Sequence, residues 1–221
     1  MAIRNRKFSR GLVLLALAAV GTACSGPGVQ PGSPVQQSEY QRLVAEAKQL
    51  SFTLDFDQLR RAYVASPQYN PNGGDKLSGL SDAYDAVERG EFDQCLSDID
   101  TVLAQNYMSL EAHMIGVVCS ARSGKLEGED RHRYMVDGLM ASIEQSGDGR
   151  TQDSAYRTIS TSELRGFLRL KGLQVLDQSI VYDKKGIYDK MQVRDPESGK
   201  EYPLYFNVSQ QFARAADVAE E

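Results

Sequence analysis

The sequence predicts an α+β fold: a helical N-terminal part built of helix hairpins, then a small antiparallel β-meander. Two observations carry this reading. From Glu39 to Glu144 apolar residues recur at spacings of three and four, the period of helices with one buried face. After Ser146-Gly147-Asp148-Gly149 the period drops to two, as in half-buried strands. The expected organisation is a signal peptide over 1–23, a flexible tether over 24–38, a helical part over 39–150, a sheet part over 151–210 packed on the helices, and a frayed tail over 211–221. Neither the helical nor the sheet part closes a core alone, so the two are read as one domain.

The first ten residues carry Arg4, Arg6, Lys7 and Arg10 and no acid, and Gly11 to Val20 is apolar. A membrane-spanning helix needs roughly twenty apolar residues, so this shorter run reads as a cleaved signal. Val20-Gly21-Thr22-Ala23-Cys24 closes it and resembles a bacterial lipoprotein signal, with Gly21 departing from the usual larger apolar residue. Cleavage before Cys24 would free its thiol and new amine for acyl chains, and two or more chains anchor a protein stably. The alternative is ordinary secretion with cleavage after Ala23. The expected location is the bacterial cell envelope, lipid-anchored through Cys24. Ser25, not Asp, follows the cysteine and favours the outer membrane, facing the periplasm. Ser25 to Ser38 is rich in Gly, Pro, Ser and Gln and reads as a tether with a reach of roughly 20 Å.

Glu39 to Leu50 places Tyr40, Leu43, Val44 and Ala47 on one side of a helix, and Asp55 to Ala65 carries Phe56, Leu59 and Tyr63. Ser66 to Gly74, with two prolines and two glycines, is a shaped loop. Helices are expected over Leu77–Arg89, Phe92–Ala104, Leu110–Arg122 and Glu129–Glu144, with breaks at Gly90 and Gly124. These breakers lie 34 positions apart, the period of a tetratricopeptide repeat. The first unit resembles that repeat, with Phe92 after the turn and small Cys95 where close helix contact is needed. The second has Glu129 at that place, so a generic helical bundle stays open.

Ala155 to Ser160 is read as a strand and Thr161 to Lys171 as a helix carrying Leu164, Phe167, Leu168 and Leu170. Leu173 to Tyr182 is strand-like, and Asp183-Lys184-Lys185-Gly186 turns the chain. Ile187, Met191 and Val193 then alternate with polar neighbours. Asp195 to Gly199 is a second turn, and Tyr202, Leu204, Phe206 and Val208 share one face of a last strand. The result is an antiparallel meander with one face available to cover helices.

Four stretches in order are Ser66-Pro67-Gln68-Tyr69-Asn70-Pro71, Leu110-Glu111-Ala112-His113-Met114, Ser142 to Arg150 with Ala155-Tyr156, and Leu204-Tyr205-Phe206-Asn207. Together they resemble an uncharacterised bacterial family, domain of unknown function 4919, over about Asp55 to Val208. The resemblance implies an exported bacterial protein and supplies no established activity.

The chain has 25 Lys+Arg against 30 Asp+Glu; loss of the four basic signal residues leaves a net charge of −9. So acidic a body argues against nucleic acid as a partner. With Cys24 lipidated, Cys95 and Cys119 remain. Each lies twelve residues from Tyr107, so an antiparallel hairpin brings them to similar height, as a disulfide requires. Two buried free thiols are the alternative.

His113 and His132 are the only histidines, with Glu111, Glu129 and Asp130 nearby in sequence. They fall on different helices at unequal distances from the turn, without a ligand at i+4, so structural or surface roles are expected and no metal. Ser146-Gly147-Asp148-Gly149 with Asp153 lacks the spacing and closing Glu of a calcium loop. No Gly-rich phosphate loop or Gly-x-Ser-x-Gly elbow is present, and no cofactor is expected. Tyr69 and Asn70 on the proline-rich loop are the candidate binding residues, although Tyr69 serves equally well as a staple onto the core.

The leading expectation is a non-catalytic, lipid-anchored envelope protein whose helical groove or Tyr69 loop binds a protein or peptide. The alternatives are a periplasmic hydrolase or carbohydrate-active enzyme, or a purely structural lipoprotein. A deep pocket holding His113 or His132 beside a carboxylate and a hydroxyl favours the enzyme; a shallow concave helical face with exposed aromatic residues favours binding.

Overall fold

Residues 38–72 and 79–213 are described by the computed structural model, and all fall within one compact unit. The signal peptide, Cys24 and the tether before Ser38 lie outside the described residues, as do Gly73 and Gly74 of the loop.

The fold is α+β, as expected. Helix α1 (Glu39–Lys48) opens on a capping box, in which Ser38 Oγ accepts from the Gln41 amide and Gln41 Oε1 accepts from the Ser38 amide. It ends before the expected Leu50, which adopts a left-handed φ of 55°. Helix α2 (Phe56–Val64) is capped by Asp55, whose Oδ1 accepts from the Asp57 and Gln58 amides. Helices α3 (Leu80–Arg89), α4 (Phe92–Gln105), α5 (Leu110–Arg122) and α6 (Leu126–Glu144) follow, each packing on the next. Helix α6 starts three residues before the expected Glu129, because its first turn exposes Leu126 and carries no apolar period to read.

The sheet corrects the expectation of a purely antiparallel meander. Strands β2 (Gln174–Asp183), β3 (Gly186–Arg194) and β4 (Glu201–Asn207) do form one, but the order is β1-β4-β3-β2. Strand β1 is only Tyr156–Arg157 and runs parallel to β4, pairing Tyr156 with Phe206. Parallel neighbours need a crossover, supplied here by the route through α7 (Thr161–Leu170), β2 and β3.

Of the tail expected to fray from Gln211, only residues 211–213 are described, and 214–221 lie outside the described residues. Residues 209–213 form a helical turn, and the buried Gln211 amide donates to the carbonyl and hydroxyl of Thr158.

Two cores hold the chain. The larger joins α1, α2, α6, α7 and the sheet, with Tyr63, Phe167 and Phe206 fully buried. Phe167 touches Tyr156 and Phe206, at centroid distances of 4.9 and 5.9 Å. The smaller core, of α3, α4 and α5, is built mostly from small residues: Ala83, Ala86, Cys95, Ala112 and Cys119 beside Ile99 and Val102. Cys95 and Cys119 are joined as a disulfide, with their Cα atoms 6.3 Å apart. In the chain-entropy picture, closing a loop of this length contributes roughly 3.5 kcal/mol, which matters for a core with little apolar area.

One ion pair crosses the large core. Arg60 on α2 donates from Nε to Glu163 Oε1 and from Nη2 to Oε2, both at 2.9 Å. Its remaining donors reach Ser142 Oγ at 3.1 Å and the Arg157 carbonyl at 2.6 Å. Glu163 occupies the third position of α7, where Ser160-Thr161-Ser162-Glu163 reads as a capping sequence. Its Oε2 reaches past the cap to the Ile159 amide at 2.8 Å. Burial opposes the Arg60 charge, but the charge and hydrogen bonds of Glu163 outweigh that and hold its pKa above the ordinary value.

Candidate functional site

Three cavities run end to end along one stripe of α4. Leu96, Asp100 and Leu103 recur at i, i+4 and i+7, so they share a helical face turned toward α1 and α6. The first cavity, about 340 Å³, lies between Leu103 and the Tyr40, Val44 and Lys48 stripe of α1. The second, about 380 Å³, shares Lys48, Leu103 and Tyr107 with the first and adds Asp100, His113, Arg131 and His132. The third, about 670 Å³, shares Asp100, Arg131 and His132 with the second and extends to Ser120, Lys125 and Leu126. The shared walls make one continuous groove, with Lys48, Asp100 and Arg131 between an end at Val44 and Leu103 and an end at Leu96 and Leu126 that also carries Lys125 and Glu127. Lys48 Nζ lies 5.1 Å from the centroid of the Tyr107 ring.

The two histidines meet in the wall of this groove, although their unequal distances from the α5–α6 turn suggested separate surroundings. The reason is Gly116. A Cβ there would lie 2.7 Å from ring atoms of His132, so only glycine lets the imidazole lie against α5 within reach of His113. His113 Nδ1 and His132 Nδ1 are 3.1 Å apart, and His113 Nε2 is 3.0 Å from the Tyr107 carbonyl. Complete burial, with the neighbouring His132 adding to it, pushes the His113 pKa down to about 3, so the ring is neutral. A carbonyl only accepts, so the His113 proton sits on Nε2 and its Nδ1 carries the lone pair. His132 must therefore donate from Nδ1, which leaves Nε2 as its basic nitrogen. Burial lowers the His132 pKa as well, with Asp100 working against that shift.

The chemistry available is weaker than the residue types suggest. Asp100, Ser120 and His132 line one cavity, the residue types of a hydrolytic triad. Yet Ser120 Oγ is buried without a hydrogen bond among the described residues, and His132 Nδ1 faces His113. The contact between nucleophile and base that such catalysis requires is not formed. No group of three or more His, Cys, Asp and Glu that could hold a metal occurs among the described residues. Glu111 is taken up by Arg169 and Tyr84, and Glu129 by Arg133. In the Gly147–Gly149 turn, Asp148 accepts from Ser154 Oγ and the Arg150 amide, while Asp153 pairs with Lys185.

Tyr69 is the staple, not a presented ligand-binding ring. It is 7 % exposed, meets Tyr63 edge-on at 5.5 Å, and donates its hydroxyl to the Ile159 carbonyl at 2.6 Å. Asn70 remains at the surface and organises the loop, with its amide donating to Tyr63 Oη and its Oδ1 accepting from Asn72. The proline-rich loop is thereby fastened beside the Arg60–Glu163 pair, and its Gln68 lines the first cavity of the groove. Lys48, Asp100, Tyr107 and Arg131 had no motif to announce them. One signal was present: Asp100 interrupts the apolar stripe from Leu96 to Leu103, as a groove floor does and a core stripe does not.

No curated protein and no solved structure matches this chain. A family match does exist, described as domain of unknown function (DUF4919), and it spans residues 35–216. The match takes in every helix and strand described above, and the chain belongs to that family.

Proposed function

We propose that the protein is a lipid-anchored binding module of the bacterial cell envelope that holds an extended stretch of another polypeptide in the groove along α4. The observation that carries this is the sharing of walls between the three cavities, which gives a long shallow trough and not a closed pocket. Apolar side chains at intervals, with Lys48, Asp100 and Arg131 between them, suit a peptide with apolar anchors whose acidic or carbonyl groups meet the cations and whose amides meet Asp100. The paired helices flanking the trough resemble tetratricopeptide units, which present a concave face in the same way. Cys24 would tether the module to the membrane, most simply at the periplasmic face of the outer membrane.

A photo-reactive amino acid at Leu103 in the full chain tests the groove. Discrete adducts are expected there and none from Thr101, on the far side of α4 and exposed; equal labelling from both sites would refute the reading. Cys24→Ser should move the protein from the membrane to the soluble fraction.

Hydrolysis is the second reading, favoured only by the shared cavity of Asp100, Ser120 and His132. A fluorophosphonate probe that labels the wild type and not Ser120→Ala would support it, and absence of label would remove it.

A further inference from the structure

Strand β2 is the least covered element of the sheet. It is the terminal strand, so among the described residues one side of its backbone has no neighbouring strand. Nine of its ten residues are exposed, Ile180 at 45 % and Tyr182 at 70 %. Edge strands are usually short or guarded by charges or bulges; this one is long, breaks register only between Val175 and Asp177, and carries no charge but Asp177 and Asp183. Its register sorts the side chains. Val175, Gln178, Ile180 and Tyr182 stand opposite Val193, Met191, Asp189 and Ile187, on the face that carries the core residues Met191 and Val193. Asp177, Ser179, Val181 and Asp183 lie on the other face.

Asp189 supplies the second observation. It is 8 % exposed, and its Oδ1 has no hydrogen-bond partner among the described residues. A carboxylate so enclosed ordinarily has a donor or a cation. Asp189 sits directly across from Ile180, on the apolar face of the free edge.

We propose that β2 is the docking edge for an extended basic segment of another protein, which adds as a fifth strand and delivers one cationic side chain across Ile180 to Asp189. An added strand would lie two strand spacings, roughly 10 Å, from β3. A long cationic side chain can cover that gap with its stem on Ile180 and its head at the carboxylate. On the opposite face, residues three positions to either side of this cation face Asp177 and Asp183. The segment therefore reads basic-x-x-basic-x-x-basic, with apolar residues two positions from the centre, against Gln178 and Tyr182. The pattern is the same in either direction.

Other occupants fit less well. Residues 24–38 carry no charge, and residues 214–221 carry three acids and one arginine. A second copy, paired through β2 about Ile180, would oppose Asp177 and Asp183 twice, and like charges directly opposite are unfavourable.

The test uses the full chain and a fluorescein-labelled peptide, Lys-Val-Thr-Arg-Thr-Val-Lys. Saturable binding is expected, with β2 amides gaining protection from hydrogen exchange. Norleucine for the central Arg should weaken binding at least about tenfold. Asp189→Asn should raise the Tm of the free protein and erase the difference between the two peptides. Asp177→Asn with Asp183→Asn, both at the surface, should weaken both peptides and reduce the salt dependence. No binding at millimolar peptide, binding without protection of β2, or binding indifferent to Asp189→Asn would overturn the proposal. So would sedimentation showing a dimer whose contacts protect β2.

Discussion

Arg60 and Glu163 stand 103 residues apart in sequence and meet as a two-pronged ion pair, each nearly closed to solvent. The pair ties α2 to the start of α7, and through Ser142 and the Arg157 carbonyl it also holds α6 and β1. Four of the five guanidinium donors are directed, so the pair acts as a keystone between the helical and sheet parts.

Removing one partner leaves a buried charge unmatched. Glu163→Gln and Arg60→Met should each destabilise by about 3–5 kcal/mol, and Arg60→Met with Glu163→Leu should recover much of that loss. Urea titrations of the three variants check this; a double variant as unstable as the sum of the singles would contradict it.

Reduction of Cys95–Cys119 should cost roughly 3.5 kcal/mol and loosen α3, α4 and α5 first, because that core has little else. Thermal melts with and without reductant measure the cost. Denatured, unreduced protein should show no free thiol at these two positions.

The His113 pKa, depressed to about 3 by burial, gives stability a definite pH dependence. The unfolded ring binds a proton near pH 6.5 and the folded ring does not, so stability is full above about 6.5 and falls with pH down to about 3. Between pH 7.5 and 5 the loss should be about 2 kcal/mol, and His113→Gln should flatten that slope. Denaturation at both pH values, for both proteins, decides it.

Gly116→Ala would place a methyl group against the His132 ring. The imidazole must swing away, breaking its bond to His113, at a cost of roughly 1–3 kcal/mol. The nitrogen-15 shifts of His132 should report the lost Nδ1 bond, while Val118→Ala, at an exposed position of the same helix, leaves them unchanged.

Most helices were legible because their buried faces repeat: α5 falls on its expected bounds, and α1, α2, α4 and α7 agree to within two residues at each end. The sheet was legible strand by strand and not in its order. Strand β1 is two residues long, too short for a period, and its parallel partner lies fifty positions away. The groove was hidden for a related reason. Leu96 and Leu103 lie on the apolar face of α4, and only the positions of α6 across from Leu96 and of α1 across from Leu103 leave a trough between. Tyr69 looked presentable because prolines and glycines surround it; the Ile159 carbonyl that captures its hydroxyl is ninety residues on.

Distance along the chain also sets an order in time. Ribosomes make roughly 5–20 residues per second, so Arg60 exists for about 5–20 s before Glu163 is made. Every residue of the α3–α5 core is made within that interval, while its disulfide waits for an oxidising compartment. The residues of the small core are thus complete while the large one still lacks α7 and the sheet. Through that interval Arg60 is a charge without its counterpart, and a nascent chain in that state is the form most in need of a chaperone's hold.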